Sequence, residues 1–457
     1  MSEIFEKVKN FIQQDKEARK YMTADSPTCF CSIYGNKRQT DQAMLDCDEA
    51  LKIDPAHADA LICKGKLLAS EGRLAEAEAH FKSAVEQNPD FFEAIFCLGD
   101  IYYQQGKLKE AEEEMIKVIR EKPMYGAAHI IMGRIYFNQE KIEEAEKEYK
   151  KAISLNPEYA DAHLGLGGVY VSRGRLKEAE KEHKKAIKIN PNYADAHTGL
   201  GWIYYFMDKL KDSEKTFIKA LELKPGEADI YTGLGWVYYR KGNYEAAETE
   251  FLKARKIRPE DPDSYIGMGW VFYHLFGPDK ERLKEAEKEF QAAVEKNPHY
   301  ADAHIGLGWV FSQMENLEPA EKCFLKAVEI NPDYADVHIG LGWVYYRWVY
   351  FRPEKLDEAE QQFKLAVDKS SADPDAYIGL GWVYYRQNRL DEAENEFKNA
   401  EKLIKNYADV YVGLGTIYEK KGLKAKAEKM FEKARKLNPK SISQENSDTS
   451  DIGEVKA

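Results

Sequence analysis

The chain has little cysteine and shows no pattern that would pair it. Cys29 and Cys31 flank a single residue and no Cys-x-x-Cys occurs, so the metal signal is weak. We expect free thiols, which suit a cytoplasmic location, and simple packing for Cys63 and Cys97. The six cysteines in 457 residues are Cys29, Cys31, Cys47, Cys63, Cys97 and Cys323.

Long apolar runs and an excess of positive charge are also missing. No stretch has the length and apolarity of a membrane span, and the charged segment Met1–Met22 does not read as a secretory signal. The balance of 67 basic and 79 acidic residues gives a net charge of −12. This argues against a dedicated nucleic-acid binder and against attraction to an anionic membrane.

Catalytic signatures are absent as well. There is no P-loop, no His-Glu-x-x-His and no Gly-x-Ser-x-Gly. Gly-x-Gly pairs such as Gly233 and Gly235 fall inside apolar helical patterns instead of following a strand. We therefore expect no enzymatic activity, no cofactor and no metal site.

What the chain does contain is a 34-residue repeat. Small residues, aromatic residues and prolines return in one register over residues 58–441, in 11 units. The units 262–300 and 335–373 each carry five extra residues. The register is marked by Gly65, Gly99, Gly133, Gly167, Gly201, Gly235 and Gly269, and by Pro89, Pro123, Pro157, Pro191, Pro225 and Pro259.

Each unit predicts two helices. In 160–193, residues 162–171 have helical spacing, a turn follows at 173–175, and a second amphipathic helix covers 176–189 before Pro191 stops it. The fold class is therefore all-α, built from antiparallel helix pairs. The predicted organisation is an N-terminal helix at 1–23, a degenerate repeat at 24–57, units without tryptophan at 58–193, units with tryptophan at 194–407, a last unit at 408–441 and a disordered tail at 442–457.

The repeated pattern resembles the tetratricopeptide repeat family. In unit 228–261 the matching residues are Tyr231, Leu234, Gly235, Tyr238, Ala247, Phe251, Ala254 and Pro259. The resemblance implies a right-handed superhelix whose first helices line a concave groove for an extended peptide or a partner helix. Each unit of such an array packs only against its neighbours. The implied function is a non-enzymatic protein-interaction scaffold.

Tryptophan departs from the family pattern. It is missing from position 4 of the unit and appears at position 9, on a second face of the first helix that in this family points into the groove. Tyrosine at position 12 and arginine at position 13 accompany it. The candidate partner-binding residues are Trp202, Tyr205, Trp236, Tyr239, Arg240, Trp270, Tyr273, Trp309, Trp343, Tyr346, Arg347, Trp382, Tyr385 and Arg386.

Two interpretations of this series stay open. Trp, Tyr and Arg dominate binding hot spots, which favours a surface that grips a partner. The series equally fits inter-repeat packing, because glycine at position 6 leaves space that the indole rings could fill. The insertion residues Trp348, Tyr350 and Phe351 form a possible second contact.

The remaining patterns have simpler explanations. Aspartate at position 2 suits a helix N-terminus more than a ligand ladder, and histidine at position 4 suits packing more than metal binding. Two alternative functions remain. Single-stranded RNA could stack on the aromatic residues, although the acidic balance opposes it. End-to-end self-association is also possible, through Met430, Phe431 and Leu437.

Overall fold

The protein is described by a computed structural model over residues 37–276, 279–350 and 352–438. The expected helix at 1–23, Cys29, Cys31, Phe351 and the tail 442–457 lie outside these residues. Every regular element in the described ranges is an α-helix. The chain divides into two compact units, residues 1–241 and 242–457, and each is considered by itself.

In the first unit the helices alternate between first and second members of a pair. Helix α1 (Lys37–Ile53) is the second helix of the degenerate repeat, and it buries Cys47 and Ala50. The first helices are α2 (Ala58–Ser70), α4 (Phe92–Gln104), α6 (Gly126–Asn138), α8 (Ala160–Ser172), α10 (Ala194–Phe206) and α12 (Ala228–Arg240). The second helices are α3 (Leu74–Gln87), α5 (Leu108–Glu121), α7 (Ile142–Leu155), α9 (Leu176–Ile189) and α11 (Leu210–Leu223).

The second unit continues the same alternation. Its second helices are α13 (Tyr244–Ile257), α15 (Lys280–Lys296), α17 (Leu317–Ile330), α19 (Lys355–Lys369), α21 (Leu390–Leu403) and α23 (Lys424–Leu437). Its first helices are α14 (Pro262–Phe276), α16 (Ala301–Gln313), α18 (Ala335–Trp348), α20 (Pro374–Arg386) and α22 (Ala408–Lys420). The expected all-α class of helix pairs is confirmed.

Position 15 ends the first helix with a left-handed residue. Glycine stands there in Gly72, Gly106 and Gly174, with φ between 68° and 77°. Glu140 and Glu315 adopt the same conformation at the same position, with φ of 61° and 65°. A residue at positive φ closes the helix and reverses the chain, which turns the second helix back along the first.

First helices of neighbouring repeats contact one another as well as their own second helices. Within the second unit this holds for α14 with α16, α16 with α18, α18 with α20, and α20 with α22. Side chains at one register position of these helices therefore form a continuous row. The rows position the candidate site.

Candidate functional site

The glycines at positions 6 and 8 of the first helices make room for the aromatic ring at position 24, and not for tryptophan. A Cβ built on Gly308, at position 8, would lie 2.7 Å from Phe324 Cζ in the same repeat. A Cβ on Gly340, at position 6 of the next repeat, would also collide with the Phe324 ring. The interpretation that position-6 glycines leave space for the indole rings is therefore wrong, because phenylalanine occupies the space.

The tryptophans pack edge-on against the position-24 phenylalanine of their own repeat. The ring centroids of Trp343 and Phe363 are 5.3 Å apart. Such edge-to-face contacts contribute about 1 kcal/mol beyond simple burial. The pairs are Trp202–Phe217, Trp270–Phe290, Trp309–Phe324, Trp343–Phe363 and Trp382–Phe397.

Exposure separates the candidate aromatic residues into two sets. Trp343, Trp382, Tyr273 and Tyr346 are buried, with exposed fractions of 4–7%. The other set keeps part of its surface in solvent, so it could contact a partner without rearrangement. That half-buried set comprises Trp202, Tyr205, Trp236, Tyr239, Trp270, Trp309 and Tyr385.

The position-13 arginines brace the preceding repeat. Arg240 Nη1 donates to the Tyr205 carbonyl at 3.2 Å, and Arg347 Nη1 donates to the Ser312 carbonyl at 2.5 Å. Arg386 Nε donates to the Tyr346 hydroxyl at 2.9 Å. Each arginine thus joins the C-terminal part of one first helix to the next, which gives it a structural task whether or not it contacts a partner.

The second insertion packs against the following repeat. The guanidinium of Arg386 lies 4.5 Å from the ring centroid of Tyr350, and Arg352 lies 4.6 Å from that of Trp348. Trp348 is half-buried, whereas 55% of Tyr350 is exposed. Of the two insertion candidates in the described ranges, Tyr350 therefore offers the more accessible surface.

Histidine and tyrosine at position 4 anchor the turn between repeats. His338 Nε2 donates to the Pro332 carbonyl at 3.2 Å, and the Tyr265 hydroxyl donates to the Pro259 carbonyl at 3.0 Å. His129, His163, His197 and His304 make the same bond to their prolines. A polar ring that reaches this carbonyl replaces the tryptophan expected at position 4 in the family.

At two places in the first unit, a side chain at position 9 supplies a cation to the next repeat. Lys66 Nζ contacts Glu93 Oε1 at 3.0 Å, and Arg134 Nη2 lies 3.4 Å from Asp161 Oδ2. Asp161 also accepts a hydrogen bond from the Tyr193 hydroxyl at 2.5 Å. In both pairs the acid stands at position 2 of the following first helix. The sequence carries this signal as opposite charges 27 residues apart, which sequence reasoning missed.

In the second unit three position-2 acids stand without that partner among the described residues. Tryptophan stands at position 9, and within the described ranges no Lys, Arg or His forms an ion pair with Asp302, Asp336 or Asp375. Burial, followed by repulsion from neighbouring aspartates, raises the pKa of all three, and that of Asp375 to about 7. Although Asp336 keeps exposed surface, the surrounding protein atoms reduce its solvation. Asp302, Asp336 and Asp375 thus form an acidic row that no described cation compensates.

Neither a metal centre nor a membrane-crossing element is found in the described part of the chain. No group of three His, Cys, Asp or Glu side chains there could hold a metal ion. No helix in the described ranges is long and apolar enough to span a bilayer. Cys47, Cys63 and Cys97 are buried, and Cys323 is half-buried.

Helix pairs in a fixed register, joined through a shared position-24 ring, define a helical repeat protein of the solenoid class. Family comparison agrees along most of its length, so the chain belongs to the tetratricopeptide repeat family. Models described as tetratricopeptide repeat match residues 34–90, 68–135, 198–262, 279–344, 350–401 and 408–441, and one described as TPR repeat matches 133–171, 167–208 and 381–422. Membership supports a protein-interaction scaffold in general, of a kind that is generally non-enzymatic.

A solved structure shows the same fold. The chain is similar to one in the crystal structure of the APC/C hetero-tetramer Cut9-Hcn1, with a TM-score of 0.54, 13% identity, and coverage of 89% of this chain and 92% of that chain. A weaker similarity is to Pseudomonas aeruginosa pilF, with a TM-score of 0.40, 18% identity, and coverage of 48% of this chain and 96% of that chain. No curated protein matches the sequence.

Proposed function

We propose that the chain is a non-enzymatic scaffold whose second unit binds an extended peptide or a partner helix along the row of its first helices. One observation carries the proposal. Trp270 and Trp309 keep accessible surface on adjacent first helices, and no Lys, Arg or His among the described residues forms an ion pair with Asp302 or Asp336 on this line of first helices. Partly exposed indoles beside charged groups are typical of binding surfaces.

The candidate residues fall into groups with different expected roles. Trp343, Trp382, Tyr273 and Tyr346 are buried and would support the row from below. Trp270, Trp309 and Tyr385 would contact the partner. In the first unit, Trp202, Tyr205, Trp236, Tyr239 and Arg240 are a separate candidate surface. Tyr350, with Trp348 behind it, remains a possible second contact, and Phe351 lies outside the described residues.

The alternatives are less well supported. The uncompensated aspartates would repel RNA phosphates where the aromatic residues could stack bases. For self-association, Met430 and Phe431 are half-buried and 40% of Leu437 is exposed, and no feature of the last described helix selects a second copy of the chain. A cytoplasmic location is part of the proposal, because it fits the free thiols.

Site-specific photo-crosslinking tests the proposal. A benzophenone amino acid is placed at Trp309 in α16 or, as a control, at Leu325, which is 43% exposed on α17 of the same repeat. Both variants must unfold at the wild-type temperature. We expect a discrete protein crosslink from position 309 and none from 325. Crosslinks to RNA or to the chain itself, or equal capture from both positions, would reject the proposal.

A further inference from the structure

In the first unit, a buried acid at position 2 is paired with a cation. Where its acid is buried, the preceding repeat supplies a cation from position 9, as Lys66 does for Glu93 and Arg134 for Asp161. The equivalent pairs in the second unit are Trp270 with Asp302, Trp309 with Asp336, and Trp343 with Asp375. In these three pairs an indole stands in place of the cation, and no other cation in the described ranges pairs with the carboxylate.

The resulting row is accessible. Asp336 is exposed and Asp302 and Asp375 are half-buried, so each can be reached from solvent. The carboxylates are close enough to repel one another, and Asp302 also acts on Tyr334, whose pKa it raises. A cation that entered the row would relieve both the repulsion and the loss of solvation.

A second, independent observation is the indole N–H of Trp343. The side chain is 4% exposed, and its Nε1 has no hydrogen-bond acceptor among the described residues. Trp343 stands at the position from which Lys66 and Arg134 reach the next repeat, beside the Asp375 end of the row. A buried donor without an acceptor is costly, and an extended peptide carries a carbonyl at every residue.

We propose that the ligand of the second unit is an extended basic segment whose Lys or Arg side chains pair with Asp302, Asp336 and Asp375. This rests on the proposed function. The cation of each basic residue also meets the face of a partly exposed indole, Trp270 or Trp309, where cation–π attraction adds to the ion pair. The segment's carbonyls supply acceptors along the row, and one of them reaches Trp343 Nε1 once the indole turns out of its buried position.

The geometry sets the spacing of the basic residues. Neighbouring packed helices lie about 8–10 Å apart. An extended chain advances about 10 Å in three residues. A segment with a basic residue at about every third position therefore matches successive first helices.

Selection from a randomised, surface-displayed library of extended peptides tests the inference on the full chain. The variant Asp302→Asn/Asp336→Asn/Asp375→Asn is compared with Glu285→Gln/Glu318→Gln/Asp357→Asn. The second variant removes the same charge from exposed positions on three second helices of the same unit, α15, α17 and α19. We expect the wild type and the control to enrich Lys and Arg at a three-residue spacing, and the aspartate variant to lose that enrichment.

Affinities of one selected, fluorescein-labelled peptide complete the test. We expect the aspartate variant to bind at least ~tenfold more weakly than the wild type, and the control to stay within ~twofold. Equal weakening in both variants would mean bulk charge attraction and overturn the inference. Enrichment of neutral or acidic peptides would overturn the inference and leave the proposed function standing, whereas enrichment of no sequence would count against both.

Discussion

Lys66 and Glu93 form an ion pair between consecutive repeats, with Nζ and Oε1 3.0 Å apart and both side chains only 4% exposed. The pair joins position 9 of one first helix to position 2 of the next. It shows that a buried acid at position 2 of a first helix requires a cation nearby. The repeats of the first unit meet this requirement internally at two places, whereas no described cation meets it at Asp302, Asp336 or Asp375 of the second unit.

Replacing Lys66 with methionine should be strongly destabilising. Glu93 would remain buried without its cation, and breaking a buried pair in this way costs about 3–5 kcal/mol. Lys64→Met is the matched control, because Lys64 pairs with Asp48 at 2.7 Å near the surface, where loss costs about 0–1 kcal/mol. Urea unfolding of both variants measures the difference, and equal free-energy losses would refute the buried role of the pair.

Position 6 of the first helix, where Gly340 stands, should not tolerate the methyl group of alanine. Gly340→Ala places a Cβ against the Phe324 ring, which is fully buried, and overpacking of this kind costs about 1–3 kcal/mol. Gly168→Ala is the control, because nothing lies within 4 Å of its built Cβ and alanine favours the helix by about 0.5–1 kcal/mol. The two substitutions should therefore move the unfolding temperature in opposite directions. A shift of the same sign would contradict the account of the glycine rows.

The register of the repeat was enough to predict the helices closely. The prediction for 160–193 agrees with α8 and α9, because Gly174 and Pro191 mark where each helix must end. The partner of each side chain was harder to predict. The position-6 glycines accommodate phenylalanine, and Arg240, Arg347 and Arg386 bind the preceding repeat. Both are contacts between repeats, and the register of one repeat does not define the distance to the next.

His183 should make stability depend on pH. It takes the position-24 place of phenylalanine, and its Nδ1–H donates to the Ala179 carbonyl at 3.0 Å. Burial lowers its pKa to about 4, from 6.5. Between these values the unfolded chain binds a proton that the native chain excludes. Stability therefore falls as the pH drops through this window, by up to about 3 kcal/mol.

His183→Phe should remove this dependence, because Phe217 fills the equivalent place between Gly201 and Gly233. The stability difference between variant and wild type is measured by chemical unfolding at several pH values. It should grow in favour of the variant from pH 7 to pH 4 and stay constant above pH 7.5. A difference independent of pH would show that His183 is protonated as easily in the native protein as in the unfolded chain.

Placing a cation at position 9 of the second unit tests most directly the claim that a basic peptide pairs with the aspartates there. Trp309→Arg places an arginine at position 9, where Arg134 stands in the first unit. Because Arg134 pairs with Asp161 of the next repeat, the new arginine should pair with Asp336. Trp309→Gln removes the same indole without adding charge. Fluorescence anisotropy with the selected basic peptide compares their dissociation constants with that of the wild type. The account predicts that the arginine variant binds at least ~tenfold more weakly than the glutamine variant, and equal or tighter binding by the arginine variant would contradict it.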